Sequence, residues 1–159
     1  MAWIAYWLVI STTFLAAPLA IWKGDKALRL GGMLRIFMIL VGMPVQHLLY
    51  RYSGAYGLSL SYYDLGSSFL TAVCFLILAF RYSNLWLGMA MVIQGGELYV
   101  SSLYLDGAAG GAWVYETWEN LTTTGVSACL FFGTLAALRR RQTAAAARKT
   151  PMPEAVRPA

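Results

Sequence analysis

Gln46 and His47 stand side by side in one apolar stretch, Gln94 and Glu97 stand three residues apart in another, and Asp64 and Glu119 lie near the ends of two more. A polar side chain inside an apolar run costs free energy unless it finds a partner. On an insertion scale, Asp, Lys or Arg at the centre of a spanning helix costs about 2.5 to 3.5 kcal/mol. A carboxylate kept at that cost is a functional candidate by default. Glu97 is therefore the first residue to consider for binding a proton or a cation.

Helical spacing groups these residues into faces. Met43, Gln46, His47 and Tyr50 share one face, and Ala90, Gln94, Glu97, Ser101 and Tyr104 share another. Glu119, Thr122, Thr123 and Ser127 make a third stripe, and Asp64, Ser68 and Thr71 a fourth. Lipid offers such faces no partner, so they turn toward one another. At 1.5 Å rise per residue, His47 and Glu97 fall within about 5 Å of the same depth, and they can meet if their helices are neighbours. The expected site is an intramembrane polar cluster for an ion, a proton or a ligand, made of Glu97, His47, Gln94, Gln46, Ser101, Glu119, Thr122, Thr123 and Asp64.

A plainer use exists for the same residue types. Polar side chains in spans hydrogen-bond helices together at about 0.6 kcal/mol per contact, and a neutral imidazole is tolerated in that role, so it is the plainer reading for His47. Asp64 and Glu119, close to the mouths of their helices, are expected at headgroup level and solvated. Gly95 and Gly96 beside Glu97, and Gly125, Cys129 and Gly133 at four-residue intervals, fit close helix packing. Pro18 and Pro44 predict kinks.

Other chemistries lack their residues. One histidine and two separated cysteines, Cys74 and Cys129, do not make a usual zinc or haem ligand set. No Walker loop, HExxH pair, GxSxG elbow or paired aspartates occur, and no cofactor or metal is expected.

The elements that must hold the polar residues follow from composition. The chain has 159 residues, 59% hydrophobic and 12% charged. That is too little polar surface for a water-soluble domain, whereas a bilayer removes the requirement. Five apolar stretches, at about 3–22, 33–50, 62–80, 84–105 and 116–138, each approach the roughly 20 residues of a helical crossing. None has the period-two alternation of barrel strands. The expected fold is all-α, a bundle of about five membrane-spanning helices over residues 1–138, followed by a basic, proline-containing tail over 139–159.

Net charge is +5, gathered at Lys23 to Arg35 and at Arg139 to Arg157. These clusters read as topology signals, not as a nucleic acid surface. Lys23, Lys26, Arg29 and Arg35 make the first connection the most basic, Arg81 marks the third, and Arg139-Arg140-Arg141 opens the tail. The positive-inside rule then places the amino terminus outside and the carboxyl terminus inside. Tyrosines 50, 52, 56, 62 and 63, with Trp113, Tyr115 and Trp118, would form an outer aromatic collar. The expected location is a membrane, taken as a bacterial cytoplasmic (inner) membrane. Arg139 to Lys149 can extend the fifth helix into water, where prolines 151, 153 and 158 end it.

The expected partners are the lipid bilayer, other membrane subunits or a second copy, and anionic lipids at the basic tail. Three functions fit, ordered by how little each requires. The first is a non-catalytic subunit packing in a complex or oligomer. The second is a small channel or transporter with a proton or cation site at Glu97, His47 and Gln94. The third is an intramembrane enzyme using Glu97 and His47 as an acid–base pair on a lipid-soluble substrate.

Overall fold

The computed structural model describes residues 2–53, 58–107 and 112–149, with side chains at 11–49, 51–52, 62–107 and 113–147. Tyr56 of the expected collar and the prolines of the tail lie outside the described residues. Among the described residues the chain is all-helical: α1 Ala2–Lys23, α2 Lys26–Ser53, α3 Leu58–Tyr82, α4 Leu85–Leu105 and α5 Ala112–Lys149.

Short polar signals set the helix starts. The Asp25 carboxylate accepts a hydrogen bond from the Leu28 amide at 2.9 Å, so α2 begins at Lys26, directly after a two-residue turn. The basic residues assigned by sequence to the first connection are therefore mostly helical: Lys26, Arg29 and Arg35 all lie on α2. Hydropathy missed this start because the charges interrupt the apolar run, while a side-chain cap is indifferent to them. Asn84 caps α4 in the same way, accepting from the amides of Trp86 at 3.1 Å and Leu87 at 3.3 Å. Before it, Ser83 takes a left-handed conformation with φ 48°, and the Asn84 amide closes back onto the Ala79 carbonyl at 3.2 Å.

The helices form a closed ring in chain order. Each packs on its sequence neighbours, α5 packs on α1, and α2 also reaches α4 and α5 from across the ring. The α1–α2 and α3–α4 turns lie at one end, which we call the turn end. There Asn84 Nδ2 donates to Asp25 Oδ2 at 3.4 Å, and Arg141 on α5 donates to the carbonyls of Lys23 at 3.3 Å and Gly24 at 3.2 Å.

Apolar packing is tightest near that end. Ala20, Leu28, Phe75, Leu87, Ala90, Val126 and Leu130 form one buried cluster. Glycines let the helices approach there. A Cβ on Gly32 would lie 2.8 Å from the Ala17 carbonyl oxygen, one on Gly31 2.9 Å from Leu87 Cδ2, and one on Gly133 2.9 Å from Leu28 Cδ2. The α1–α5 seam also carries a buried hydrogen bond between the Thr13 and Ser127 hydroxyls, 2.9 Å.

The outside of the ring is apolar. Leu15, Phe80, Leu85 and Val92 are at least 65% exposed, pointing away from the bundle. A protein in water rarely presents so much contiguous apolar surface, whereas lipid is a matching solvent. Three stretches are long and apolar enough to cross a membrane: Lys26–Leu49, Tyr62–Tyr82 and Trp113–Ala147. In α4, Gln94 and Glu97 near the middle lower the hydropathy, and for α1 the described side chains begin at residue 11. α5, with 38 residues, is about 57 Å long. That exceeds a hydrocarbon core of about 30 Å, so the exposed Arg139-Arg140-Arg141 segment continues the helix past any crossing, as its composition predicts.

Candidate functional site

Away from the turn end, the interior of the ring is polar. Glu97 projects from α4 and accepts three hydrogen bonds from three helices. The Ser68 hydroxyl on α3 donates to Oε1 at 2.7 Å, while Gln94 Nε2 and the Thr122 hydroxyl on α5 donate to Oε2 at 2.7 and 2.9 Å. Gln94 sits one turn before Glu97 on the same face, and Ser68 and Thr122 are both buried. Three side chains, two of them from the stripes of other helices, thus meet at one carboxylate, because each stripe has the same need for a partner out of water.

A second carboxylate closes a separate link. Asp64 Oδ1 accepts from Gln46 Nε2 of α2 at 2.8 Å, and Oδ2 accepts from the Tyr115 hydroxyl of α5 at 3.4 Å. Tyr115 is stacked on Tyr104 of α4, with ring centroids 4.8 Å apart. All four of the helices α2 to α5 are therefore tied together at this level.

Between the two carboxylate clusters lies a cavity of about 150 Å³. α2 and α3 supply most of its wall, with Gln94, Glu97, Glu119 and Thr123 contributed by α4 and α5. Its volume corresponds to about five waters at roughly 30 Å³ each. Three carboxylates, Asp64, Glu97 and Glu119, face it together with one guanidinium, that of Arg35.

Arg35 is the site residue that sequence reading passed over. It was counted among the basic residues of a loop, yet it lies on the third turn of α2 and lines the cavity. Its buried Nε has no hydrogen-bond partner. Among the described residues no carboxylate oxygen lies within 4.0 Å of the guanidinium, although Glu97 and Glu119 are near enough to act on it through space. The signal was available: Arg35, Gly42 and Gln46 fall at i, i+7 and i+11, one stripe of a helix.

The sequence-derived cluster divides as follows. Glu97, Gln94, Gln46, Asp64, Glu119 and Thr123 line the cavity, and Thr122 holds Glu97 from behind. Ser101 is buried on the next turn of α4. Asp64 and Glu119 belong to the cavity wall and are half-buried. His47 does not join them: it is exposed on the other side of α2 and is not among the cavity residues. Neighbouring residues on a helix point about 100° apart, so with Gln46 turned inward His47 turns out. The glycines divide too. A Cβ on Gly125 would lie 3.2 Å from Ile93, Gly133 is tighter still, and Cys129 is buried between them. Gly95 faces open space, and Gly96 has only Trp118 at 3.8 Å.

The acid–base pair required for intramembrane catalysis thus lacks its histidine in the cavity. What the cavity contains is a carboxylate fully supplied with donors, two further carboxylates and a guanidinium without a direct partner. Such a set can bind and exchange a charged solute or a proton. Comparisons of the chain with family models, with curated proteins and with solved structures find no match.

Proposed function

We propose that this chain is a five-span membrane protein that binds a proton or a small cation in the cavity between α2, α3, α4 and α5, and acts as a small channel or transporter. The observation that carries this reading is the placement of Glu97. Its carboxylate is held by Ser68, Gln94 and Thr122 from three helices and faces a space that also receives Asp64 and Glu119. Packing alone needs hydrogen bonds between helices. It does not need a void with three acids around it, and this favours solute binding over a purely structural subunit.

The charge distribution supports the orientation. Lys23, Lys26, Arg29 and Arg141 gather at the turn end, so the positive-inside rule puts that end at the cytoplasm and the amino terminus outside. The cavity then lies toward the outer half of the bilayer, with the Gln46–Asp64–Tyr115 link between it and the outer surface. A bacterial cytoplasmic membrane suits the short connections, and the basic end of α5 suits anionic lipid.

The test is proton or cation flux in liposomes reconstituted with the purified chain and loaded with a pH-sensitive dye. A pH gradient is expected to collapse faster than in empty liposomes. Glu97→Gln, which keeps the side-chain volume and an acceptor oxygen, is expected to remove the effect. Liposomes no leakier with the wild-type chain than without it, or a flux untouched by Glu97→Gln, would reject the reading.

A further inference from the structure

We infer that the solute accommodated in this cavity is a small zwitterion, with its anionic group on Arg35 and its ammonium group among Glu119 and the Gln94 carbonyl oxygen. The inference rests on the cation site proposed above and identifies the cation as the ammonium group of a zwitterion.

Arg35 supplies the first half. A guanidinium carries five donors in a planar fork that matches a carboxylate or sulfonate. In this structure it lines the cavity, makes no hydrogen bond, and has no carboxylate within ion-pair distance among the described residues. Glu97 could have paired with it, but both Glu97 oxygens are already engaged by neutral donors. The guanidinium, in the wall of the cavity, is thus left without a hydrogen-bond or ion-pair partner among the described residues.

The second half comes from groups with the opposite need. Gln94 is 2% exposed; its amide nitrogen is committed to Glu97, while its Oε1 has no partner. Glu119 lines the same cavity, and its carboxylate accepts no hydrogen bond among the described residues. A free cation answers the carboxylates but leaves the Arg35 guanidinium unpaired, and a free anion is repelled by Glu119 and Glu97. A molecule carrying both charges satisfies the two sets at once and adds no net charge to a site of low dielectric. The volume limits it to a molecule of a few non-hydrogen atoms, the size of glycine, β-alanine or taurine.

Binding to the full chain in mild detergent, measured by calorimetry, decides the point with five probes: glycine, β-alanine, taurine, methylammonium and acetate. At least one zwitterion is expected to bind tenfold or more tightly than either singly charged probe. Arg35→Gln is expected to reduce that affinity at least tenfold while leaving methylammonium binding unchanged or tighter. Methylammonium binding as tightly as every zwitterion would overturn the inference and leave a plain cation site, as would zwitterion binding unaffected by Arg35→Gln. Should Arg35→Gln fail to fold by circular dichroism, the wild-type comparison of the five probes decides alone. Absence of binding by all five overturns the inference as well. If Glu97-dependent proton flux persists in that case, the function proposed above stands without it.

Discussion

The turn end and the cavity end of this bundle use the same residue types for opposite purposes, and glycine shows it best. At the turn end Gly31, Gly32 and Gly133 sit where a Cβ would meet a neighbour at 2.8 to 2.9 Å, so they mark helices pressed together. Farther along, Gly66 and Gly95 face open space, as Gly88 does on the first turn of α4. Hydroxyls divide in the same way. Thr134, fully buried in the tight half, donates to its own helix at the Leu130 carbonyl, 2.7 Å, whereas Ser68 and Thr122 send their hydrogen bonds across to Glu97. In lipid, where burying an apolar group gains little over leaving it exposed, dispersion and backbone approach decide which half is rigid. The polar half is held by side-chain hydrogen bonds around a void. Stability is therefore expected to reside in the first half, and solute chemistry in the second.

The largest test of that division is a pair of truncations one turn apart on α3. Phe75 is fully buried in the tight half, and Phe75→Ala leaves a void whose walls cannot all collapse. A loss of about 3 kcal/mol is expected, at the low end for buried aromatics because lipid and not water is the reference. Thr71→Ala in the cavity wall removes a hydroxyl that bonds its own helix at the Ser67 carbonyl, 2.7 Å, and is expected to cost less than about 1 kcal/mol. Unfolding in mixed detergent–SDS micelles, followed by tryptophan fluorescence, measures both. Equal losses would show that the two halves are not mechanically distinct.

Glycine substitutions sharpen the comparison at a smaller scale. Gly32→Val pushes a side chain against the Ala17 carbonyl, which is backbone and cannot step aside, and about 1 to 3 kcal/mol of overpacking is expected. Gly66→Ala meets nothing within 4 Å and should gain about 0.5 to 1 kcal/mol from helix propensity. The opposite signs are the point, and the same unfolding assay reads them. A gain at Gly32 would mean that α1 and α2 are not in the close contact described.

Some of this was legible in the sequence and some was not. Five helices follow from apolar length, and the meeting of Glu97, Gln94, Ser68 and Thr122 follows from stripes that lipid cannot satisfy. The start of α2 was hidden because Lys26, Arg29 and Arg35 resemble a charged loop. Only the Asp25 cap distinguishes the two, and it is a local hydrogen bond invisible to hydropathy. Arg35 was hidden for the same reason: charge near a span end reads as a topology signal, and its stripe with Gln46 is seen once the helix is known to include both. His47 shows the limit of helical spacing. A face drawn through positions 43, 46, 47 and 50 is wide, and neighbours on α3, through the Asp64–Gln46 bond, decide which edge of it turns inward. Glu119 was placed by its distance from a helix mouth, which gives depth along the helix but says nothing of direction around it.

The hydrogen bonds around Glu97 should be individually weak. Ser68→Ala and Thr122→Val are each expected to lower stability by about 0.6 kcal/mol, the usual size of a side-chain contact between spanning helices. Combined with Glu97→Ala, each should lose most of its effect, since the acceptor of the hydrogen bond is then gone. A single loss of about 2 kcal/mol or more would make the cavity end a structural keystone and weaken the contrast between the halves.

The smallest expected effect lies at the turn end itself. Ser83 joins α3 to α4 with φ 48°, a conformation that crowds the Cβ of any residue but glycine, and the Asn84 amide needs this geometry to reach the Ala79 carbonyl. Ser83→Gly removes the crowding and keeps the turn, for a gain of about 0.5 kcal/mol in the micelle assay. Ser83→Val adds a branched side chain at the same φ and should lose more than the glycine gains. The turn end is then stable despite a strained link, with Asn84 bonded to Asp25 and Arg141 bonded to Lys23 and Gly24 holding the two turns together. If glycine instead destabilises the chain, the Ser83 side chain contributes something to the turn that outweighs its backbone cost. Arg141→Ala, which cuts the other tie at that end, would then be the variant to compare with it.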